Sequence, residues 1–483
     1  MYQTTEAAWS GGDEAGYVDS RFLHTGPLLF VPHLVWIVAA FATLLIPSPT
    51  AALLVVALMS LLWSGTQVLK NGGPYLLPSS VMYLASAVFI GFACYYLVLI
   101  GSKTMPDQLR LIAVLVFAAT VFMEVVRSAL LVRWRVAWVH RPRGSRAIFS
   151  EHSPRHFLAK ALLLLAISLS PVLTGINMEL AKAVGMVGVM MLVLGGISWR
   201  TRIRWGGDIL IVIGSIILPI IWVSMVFKGG GRLVVAGLGI AVALTWNLVK
   251  PTRVFKVAVL VALPLFLVGA GLNRAQLKEE QFGPEAGGGV VEGLYSVYDP
   301  LDRLGQVLTE ERFPGGDSIG PRYGATFVNA LLMPIPRDMW EGKPVGFGAE
   351  VTQLMNPGLV AKGQSFSILG YGEWYANFGW AGLVLMPVAL GALLAVLDRR
   401  HAELVNSSVT SSDDWWRAVT LGCVVSSLGD LFWGGAFTFY TRGGMAFLVA
   451  FAMWRMSRGR LVPVAARAGA PTVDSRVGSA VKV

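Results

Sequence analysis

A proline-rich stretch from Met333 to Pro344 carries two cations, Arg337 and Lys343. Proline fixes the backbone and disfavours helix, so we expect both cations on a stiff, irregular segment. Arginine donates bidentate hydrogen bonds and lysine supplies a point charge, a pair that suits a doubly charged anion such as a diphosphate. The alternative interpretation makes Trp340 and the prolines an anchor at a membrane interface.

Two carboxyl groups are functional candidates, and the first of them is a candidate general base. Glu373 lies in the aromatic run from Gln364 to Gly382, and partial removal from water raises the pKa of such a carboxyl group. Asp430 lies near the end of one apolar run, and Arg442 lies close to the start of the next. Because ionisable groups within apolar runs are functional candidates by default, we expect these two to meet in one cavity.

Aromatic side chains accompany these charged groups. Trp374, Tyr375 and Trp380 follow Glu373 closely, and Trp340 lies within the proline-rich stretch. Their rings have apolar faces on which a sugar can stack. The alternative is an aromatic belt at the membrane surface, which suits each aromatic taken singly.

Further cations lie outside the proline-rich stretch. Three glycines between Lys228 and Arg232 let backbone N–H groups turn toward an anion, and Arg232 would begin the next helix. A plain tight turn is the alternative, since no Gly-Lys-Ser/Thr follows to make a Walker loop. A second group of cations shares one long segment: Arg303, Arg312, Arg322, Arg337, Lys343 and Lys362. Pairing with neighbouring Asp and Glu residues is the alternative use of this group.

The elements that must position these residues are apolar. Of the 483 residues, 55% are hydrophobic and 14% are charged, whereas about a quarter are charged in ordinary soluble domains. Apolar runs near the ~20 residues that cross a bilayer predict an all-α, polytopic integral membrane bundle of about twelve spans. The predicted spans are Leu28 to Ile46, Thr50 to Leu69, Ser79 to Ile100, Leu109 to Val132, Phe157 to Ile176, Ala181 to Trp199, Asp208 to Phe227, Leu233 to Val249, Val254 to Leu272, Phe378 to Leu397, Ala418 to Gly434 and Gly443 to Met456.

The basic residues predict an orientation. The net charge of +11 comes largely from cations in short loops, such as Arg133 to Arg146, so it indicates membrane topology and not nucleic-acid binding. The positive-inside rule places these loops and both termini in the cytoplasm. The predicted organisation is a polar tail 1–27, spans within 28–272, one large outer loop 273–377, spans within 378–456 and a basic tail 457–483. A connection as long as that loop is usually functional or disordered.

Two familiar chemistries are disfavoured. The outer loops hold no Asp-x-Asp motif, and the histidines fall on or near the cytoplasmic side, so neither a metal-dependent transferase nor an outer histidine base is expected. We therefore predict no metal and no other cofactor. Glu124 and Arg127 are three residues apart and share a helix face, and we interpret them mainly as a structural ion pair.

Several motifs resemble a known family, the Wzy-type oligosaccharide repeat-unit polymerases. The similar elements are Pro336-Arg337 followed by Trp340 and Lys343-Pro344, the run containing Gly324, the approach from Ser365 to Gly379, and the turn from Gly230 to Arg232. The resemblance covers mainly Arg322 to Gly391, together with the plan of many spans and one large late loop. It implies a glycosyltransferase-C-like bundle in the bacterial cytoplasmic membrane, with its active site facing outward.

The resemblance also implies a reaction and its partners. Such enzymes transfer a growing glycan from one undecaprenyl diphosphate to the sugar of a new lipid-linked unit, which extends an O-antigen, capsule or exopolysaccharide. The diphosphate leaving group needs cations to stabilise its developing charge. The residues expected to bind it are Arg232, Arg322, Arg337, Lys343 and Arg442. Glu373 or Asp430 would accept the proton, Trp340, Trp374 and Tyr375 would stack on sugars, and a chain-length regulator remains an open partner.

Three other functions stay open. An O-antigen-type ligase uses the same donor, but it is expected to use an outer histidine that this sequence lacks. A lipid-linked oligosaccharide flippase or other transporter predicts charged or broken helices near the membrane midplane, and Glu124 with Arg127 is its best support. A non-enzymatic assembly or sensor protein predicts that changing single outer arginines has little effect.

Overall fold

The computed structural model describes residues 17–18, 30–136, 139–140, 154–170, 174, 178–200, 207–226, 232–249, 251–282, 294–309, 321–333, 335, 339–343, 345–360, 365–406 and 412–458. These residues are helical apart from connections and one pair of two-residue strands. Strands β1 (Tyr17–Val18) and β2 (Val139–His140) pair antiparallel. The glycine-rich run at the start of the predicted outer loop, residues 283–289, whose composition predicts flexibility, lies outside the described residues.

The α-helices of the described residues cover the apolar runs of the sequence and parts of the predicted outer loop. In chain order they are α1 Val31–Ala42, α2 Pro49–Lys70, α3 Ser80–Ser86, α4 Ala93–Ile100, α5 Pro106–Arg133, α6 Pro154–Ser168, α7 Met178–Arg200, α8 Gly207–Val226, α9 Arg232–Val249, α10 Arg253–Phe282, α11 Tyr295–Thr309, α12 Ala325–Leu331, α13 Phe347–Met355, α14 Pro357–Val360, α15 Leu369–Phe378, α16 Trp380–Asn406, α17 Ser412–Val425, α18 Leu428–Phe439 and α19 Met445–Arg458. A 3-10 turn, Thr43–Leu45, follows α1. Two π-helical segments, Ala87–Phe92 and Tyr440–Gly444, continue α3 into α4 and α18 into α19.

Six helical stretches of the described chain are long and apolar enough to cross a membrane. They are Pro49–Lys70, Ser80–Ile100, Pro106–Arg133, Met178–Gly196, Trp380–Asn406 and Leu428–Ser457. Four shorter apolar helices accompany them: Val31–Leu45, Phe157–Ser168, Ile217–Val226 and Val234–Leu248. Large apolar side chains such as Leu34 and Val38 are well exposed on α1, as lipid-facing residues must be. The protein is thus a helical membrane protein, and twelve spans remain a prediction.

The stretch Leu428–Ser457 is kinked at Gly435, whose φ of 78° lies outside helical geometry. In a straight helix, Ser427 and Gly443 would be about 24 Å apart, because each residue adds ~1.5 Å. Instead, a Cβ atom built on Gly443 would lie 1.5 Å from Ser427 Oγ. The chain therefore folds back at Gly435, one residue after the end of the predicted span Ala418 to Gly434. The residues between the two predicted spans are helical, and not an open loop.

Helices α5 and α16 pack closely in the middle of the bundle. A Cβ atom on Gly391 of α16 would lie 2.6 Å from the Met123 carbonyl oxygen of α5, so only glycine allows this approach. Small residues at such contacts let membrane helices associate through van der Waals packing. Both helices begin at the same end of the bundle, which also holds α11, α12, α13 and α15. We call this the loop end, and the opposite end, where α5 finishes at Arg133, the far end.

Helix α11 is fixed to the loop end through one acidic side chain. The Asp302 carboxylate accepts the backbone N–H groups of Lys103 and Thr104 and the Ser102 hydroxyl, all in the connection between α4 and α5. Thr104 in turn donates to the Asp302 carbonyl oxygen at 2.9 Å. Segments of the predicted outer loop therefore pack on the membrane helices.

Candidate functional site

Helix α15 presents Glu373 to the interior of the loop end. The helix ends at Gly379, whose φ of 59° is a left-handed conformation that favours glycine, and its N–H donates to the Tyr375 carbonyl oxygen at 2.7 Å. Gly370 lets α15 approach α18 closely, since a Cβ atom there would lie 2.6 Å from the Leu431 carbonyl oxygen. This close approach carries Glu373 to the fold-back of α18.

The Glu373 carboxyl group lies against the kink at Gly435. Its Oε2 accepts the Ala436 N–H at 2.5 Å, where the kink leaves that donor without a helical partner. A Cβ atom on Gly435 would lie 2.2 Å from the same oxygen, so a larger residue would displace the carboxyl group. The other oxygen, Oε1, is buried and has no hydrogen-bond partner among the described residues.

Glu373 is removed from water, as its position in an aromatic run predicted, while its role as a base stays a prediction. The residue is 2% exposed, and this burial raises the pKa of Glu373 to about 7, against a partial lowering by the Ala436 N–H and by the nearby Thr326 hydroxyl. A carboxyl group that titrates near neutral pH is suited to accept and release a proton. The unpartnered Oε1 is the atom at which that proton would reside.

Asp430 and Arg442 meet, as the sequence predicted, on the two arms of the fold-back. Arg442 Nη1 donates to Asp430 Oδ1, while Asp430 Oδ2 is buried and has no partner among the described residues. The Arg442 guanidinium also lies over the Trp433 ring, 5.7 Å from its centroid. The arginine side chain is 24% exposed and the aspartate side chain only 2%. A ligand therefore reaches the cation of this pair more easily than the anion.

Arg322 is fixed to the C-terminal end of α15 by its backbone. Its N–H donates to the Ala376 carbonyl oxygen at 2.8 Å, and the next two N–H groups bond to Asn377. The Asn377 amide also bonds to Thr326 at 2.6 Å and to the Glu373 carbonyl oxygen at 2.8 Å. The Arg322 side chain forms a half-exposed ion pair with Glu350 of α13. Asn377 thus joins the segment of Arg322 to the helix of Glu373.

The remaining expected diphosphate ligands are placed differently. Lys343 donates from Nζ to the carbonyl oxygens of Met333 and Ile335. Its ammonium group therefore stabilises the turn of its own segment, and an anion would compete with these two carbonyl oxygens. Arg337 lies outside the described residues. Arg232 begins α9, as expected, and only its backbone is described.

The expected sugar-stacking aromatics pack largely on other aromatic rings. Trp374 lies 5.0 Å from Phe327 and 5.7 Å from Phe378, centroid to centroid. Tyr375 meets Trp380 edge to face at 5.4 Å. Trp340 is partly buried within its stretch. Partly exposed, mutually packed rings such as Trp374 and Tyr375 fit the aromatic-belt alternative, and stacking on sugars stays a prediction.

Sequence reasoning did not predict the contacts that fix the segment leading into α15. The Arg303 guanidinium lies 4.0 Å above the Phe366 ring and pairs with Asp299 at 3.1 Å. Ser367 donates its hydroxyl proton to the Trp433 carbonyl oxygen, which joins this approach to α18. For Arg303, the alternative of pairing with a neighbouring acid is what the structure shows. No local pattern signals the contacts of Arg303 with Phe366 and of Ser367 with Trp433, because each joins residues far apart in the chain.

Comparisons of the chain with protein-family models, with curated proteins and with solved structures give no match. The chemistry of the site must therefore be argued from its geometry. At the loop end, two buried carboxyl groups, Glu373 and Asp430, lie on α15 and α18, which pack together. Each has one oxygen without a described partner, and partly exposed arginines lie close by. This arrangement can bind an anion through arginine and accept a proton at a carboxylate.

Proposed function

We propose that the protein is a membrane glycosyltransferase that polymerises oligosaccharide repeat units linked to a polyprenyl diphosphate. The observation that carries the proposal is that two buried carboxyl groups, Glu373 and Asp430, each with one oxygen without a described partner, lie at the same end of the bundle as two partly exposed arginines, Arg322 and Arg442. The resemblance of residues 322–391 to Wzy-type polymerases supports the same assignment. The polymer would be a bacterial surface polysaccharide, either O-antigen, capsule or exopolysaccharide.

The reaction divides the site into two roles. Glu373 takes the proton of the acceptor hydroxyl while the oxygen of that hydroxyl forms the new bond to C1 of the donor sugar. The bond between C1 and the diphosphate oxygen breaks, and its electron pair leaves with the lipid diphosphate. Arg442 and Arg322 stabilise the charge that develops there, with Arg337 and Lys343 as further candidates from the proline-rich stretch. Proton and charge balance without a metal ion or other cofactor.

The proposal also sets the location of the site. The loop end would face outward from the bacterial cytoplasmic membrane, where lipid-linked units are displayed after flipping. The positive-inside rule supports this orientation, since exposed arginines such as Arg133, Arg399 and Arg400 gather at the far end. Donor and acceptor are then both reached from the lipid bilayer, and a chain-length regulator would bind the same membrane face.

The decisive experiment measures lipid-linked saccharides in cells that lack the protein. We expect long chains to disappear and single repeat units to accumulate on the carrier. Re-expression of the parent chain restores long chains, whereas Glu373→Gln is expected to lower chain growth by about a hundredfold, as for the loss of a general base. Glu403→Gln, an exposed carboxylate at the far end, is the matched control and should grow chains normally.

The alternative outcomes are distinct. Long chains that persist on the lipid carrier would identify a ligase, and units that stay on the cytoplasmic side would identify a flippase. A flippase is the second candidate because the kink at Gly435 breaks a helix of membrane-spanning composition, a feature of transporters. Normal growth with Glu373→Gln would remove Glu373 as the base.

A further inference from the structure

The ion pair of Asp430 and Arg442 is asymmetric in exposure and in bonding. Asp430 is almost wholly buried, whereas about a quarter of the Arg442 side chain is exposed. One hydrogen bond joins them, from Nη1 to Oδ1, and Oδ2 has no described partner. The pair is therefore not the bidentate arrangement in which arginine and carboxylate bind most strongly.

A second contact, with Trp433, orients the guanidinium in addition to the aspartate. The Trp433 ring lies beneath it at 5.7 Å, and the Trp433 carbonyl oxygen is held by the Ser367 hydroxyl. A ring of this kind attracts the cation by several tenths of a kcal/mol to about 1 kcal/mol. Arg442 can thus exchange one anionic partner for another while its plane stays oriented.

We propose that Asp430 holds the place of the substrate's diphosphate on Arg442, and that the diphosphate displaces it on binding. This inference rests on the proposed function and deepens it, because it assigns to Asp430 the role of an internal competitor and not of a base. A diphosphate carries more charge and more acceptor oxygens than one carboxylate oxygen, so it forms a bidentate contact that Asp430 does not. In the empty enzyme, Asp430 keeps the arginine paired and prevents other anions from occupying the site.

If Asp430 is a competitor, removing its charge should raise the affinity of the protein for a diphosphate. Removing the charge of a residue that binds or shapes a site weakens binding, whereas removing a competitor strengthens it. The full chain in detergent is titrated with inorganic pyrophosphate by calorimetry. Asp430→Asn is expected to bind pyrophosphate about tenfold more tightly than the parent chain, a change of about 1.4 kcal/mol. Inorganic phosphate should bind more weakly than pyrophosphate to both proteins.

Three further variants fix the interpretation. Arg442→Gln should lose most of the pyrophosphate affinity, and Asp430→Asn should add nothing in the Arg442→Gln background. Glu403→Gln removes a carboxylate that pairs with Arg399 and Arg400 at the far end, so it is the matched control and should bind like the parent. Weaker or unchanged binding by Asp430→Asn overturns the proposal, as does parent-like binding by Arg442→Gln. Should Asp430→Asn not elute as a single species, Asp430→Ser, which also removes the carboxylate, takes its place in the titration with the same expected gain in affinity.

The source of the diphosphate is tested with a second probe. Farnesyl diphosphate carries the group on an isoprenoid chain that inserts into the detergent micelle. Tighter binding than pyrophosphate, with the same gain in Asp430→Asn, assigns the site to a lipid-linked diphosphate. Equal binding overturns that assignment in favour of a free diphosphate. Because neither titration requires chain growth, failure of the polymerase assay and failure of this inference are separately visible.

Discussion

The buried carboxyl groups at the two ends of the bundle differ in how many of their oxygens have hydrogen-bond partners. At the far end, Arg127 donates to both oxygens of Glu124 and to Asp398, each at 2.6 Å. The remaining Asp398 oxygen accepts the Ser79 N–H at 3.0 Å, and Glu124 also accepts from Tyr83 and Ser128. Every carboxylate oxygen of this cluster has a partner. At the loop end, the two buried carboxyl groups each keep one oxygen without a described partner.

The difference separates a structural cluster from a site prepared for a ligand. Taking charges out of water is costly, and only full pairing and hydrogen bonding compensate for it. The far-end cluster is fully paired and hydrogen-bonded. Through the Ser79 N–H it also fixes the buried connection before α3, and that N–H would otherwise lack a partner. It supports the interpretation of Glu124 and Arg127 as a structural pair. The loop-end carboxyl groups are left incomplete, as groups that exchange protons or partners must be.

The largest expected effect is the loss of the far-end cation. Arg127→Met leaves two buried carboxylates without a cation, and breaking such a pair costs about 3–5 kcal/mol. We expect this variant to unfold or to fail to accumulate, as measured by gel filtration of detergent extracts after heating. Arg400→Met removes an exposed arginine at the same end and should change stability by less than about 1 kcal/mol. A stable Arg127→Met protein would show that the far-end cluster is not the structural support of the bundle.

The second prediction concerns pH at the loop end. The pKa of Glu373 is raised from 4.5 to about 7, so between these values the folded protein binds a proton that the unfolded chain releases. The free energy of unfolding should therefore fall as pH rises through this window, by at most about 3 kcal/mol, and level off above it. Chain growth should rise over the same window, because the ionised form accepts the proton.

Glu373→Gln provides the test of that assignment. The variant lacks the titrating group, so its thermal stability should change less than that of the parent between about pH 5 and about pH 8. Equal pH dependence of the two proteins would mean that another group is responsible. The far-end cluster contributes nothing to this comparison, since the same cluster is present in both chains.

The third prediction concerns the kink that holds Glu373. In Gly435→Ala, the new Cβ atom meets Glu373 Oε2, and the positive φ of 78° is unfavourable for alanine. We expect a loss of about 1–3 kcal/mol in stability together with reduced chain growth. Gly429→Ala is the control in the same helix, because a Cβ atom there comes no closer than 4.0 Å to another group. Similar behaviour of the two variants would separate the kink from the function.

Parts of this comparison could be read from the sequence and parts could not. The apolar runs predicted the membrane helices, and the charges at the ends of two adjacent runs predicted the meeting of Asp430 with Arg442. The spacing of Glu124 and Arg127 predicted their pair, because residues three apart share a helix face. Asp398, the third member, is 271 residues from Arg127 in the chain, so no local pattern could identify it. The contact between Glu373 and Ala436 depends on a kink whose sequence signal is only a pair of glycines.

The smallest expected effect on stability belongs to the partly exposed pair of Arg322 and Glu350 at the loop end. Both side chains are partly exposed, at 38% and 28%, and ion pairs in contact with water contribute at most about 1 kcal/mol. Glu350→Gln should therefore leave thermal stability nearly unchanged. If Arg322 binds the diphosphate, freeing it from Glu350 should also preserve or increase pyrophosphate affinity, whereas Arg322→Gln should reduce it. Loss of affinity in Glu350→Gln would show that this pair shapes the site as the far-end cluster shapes the bundle, and would leave Arg442 as the cation that binds substrate.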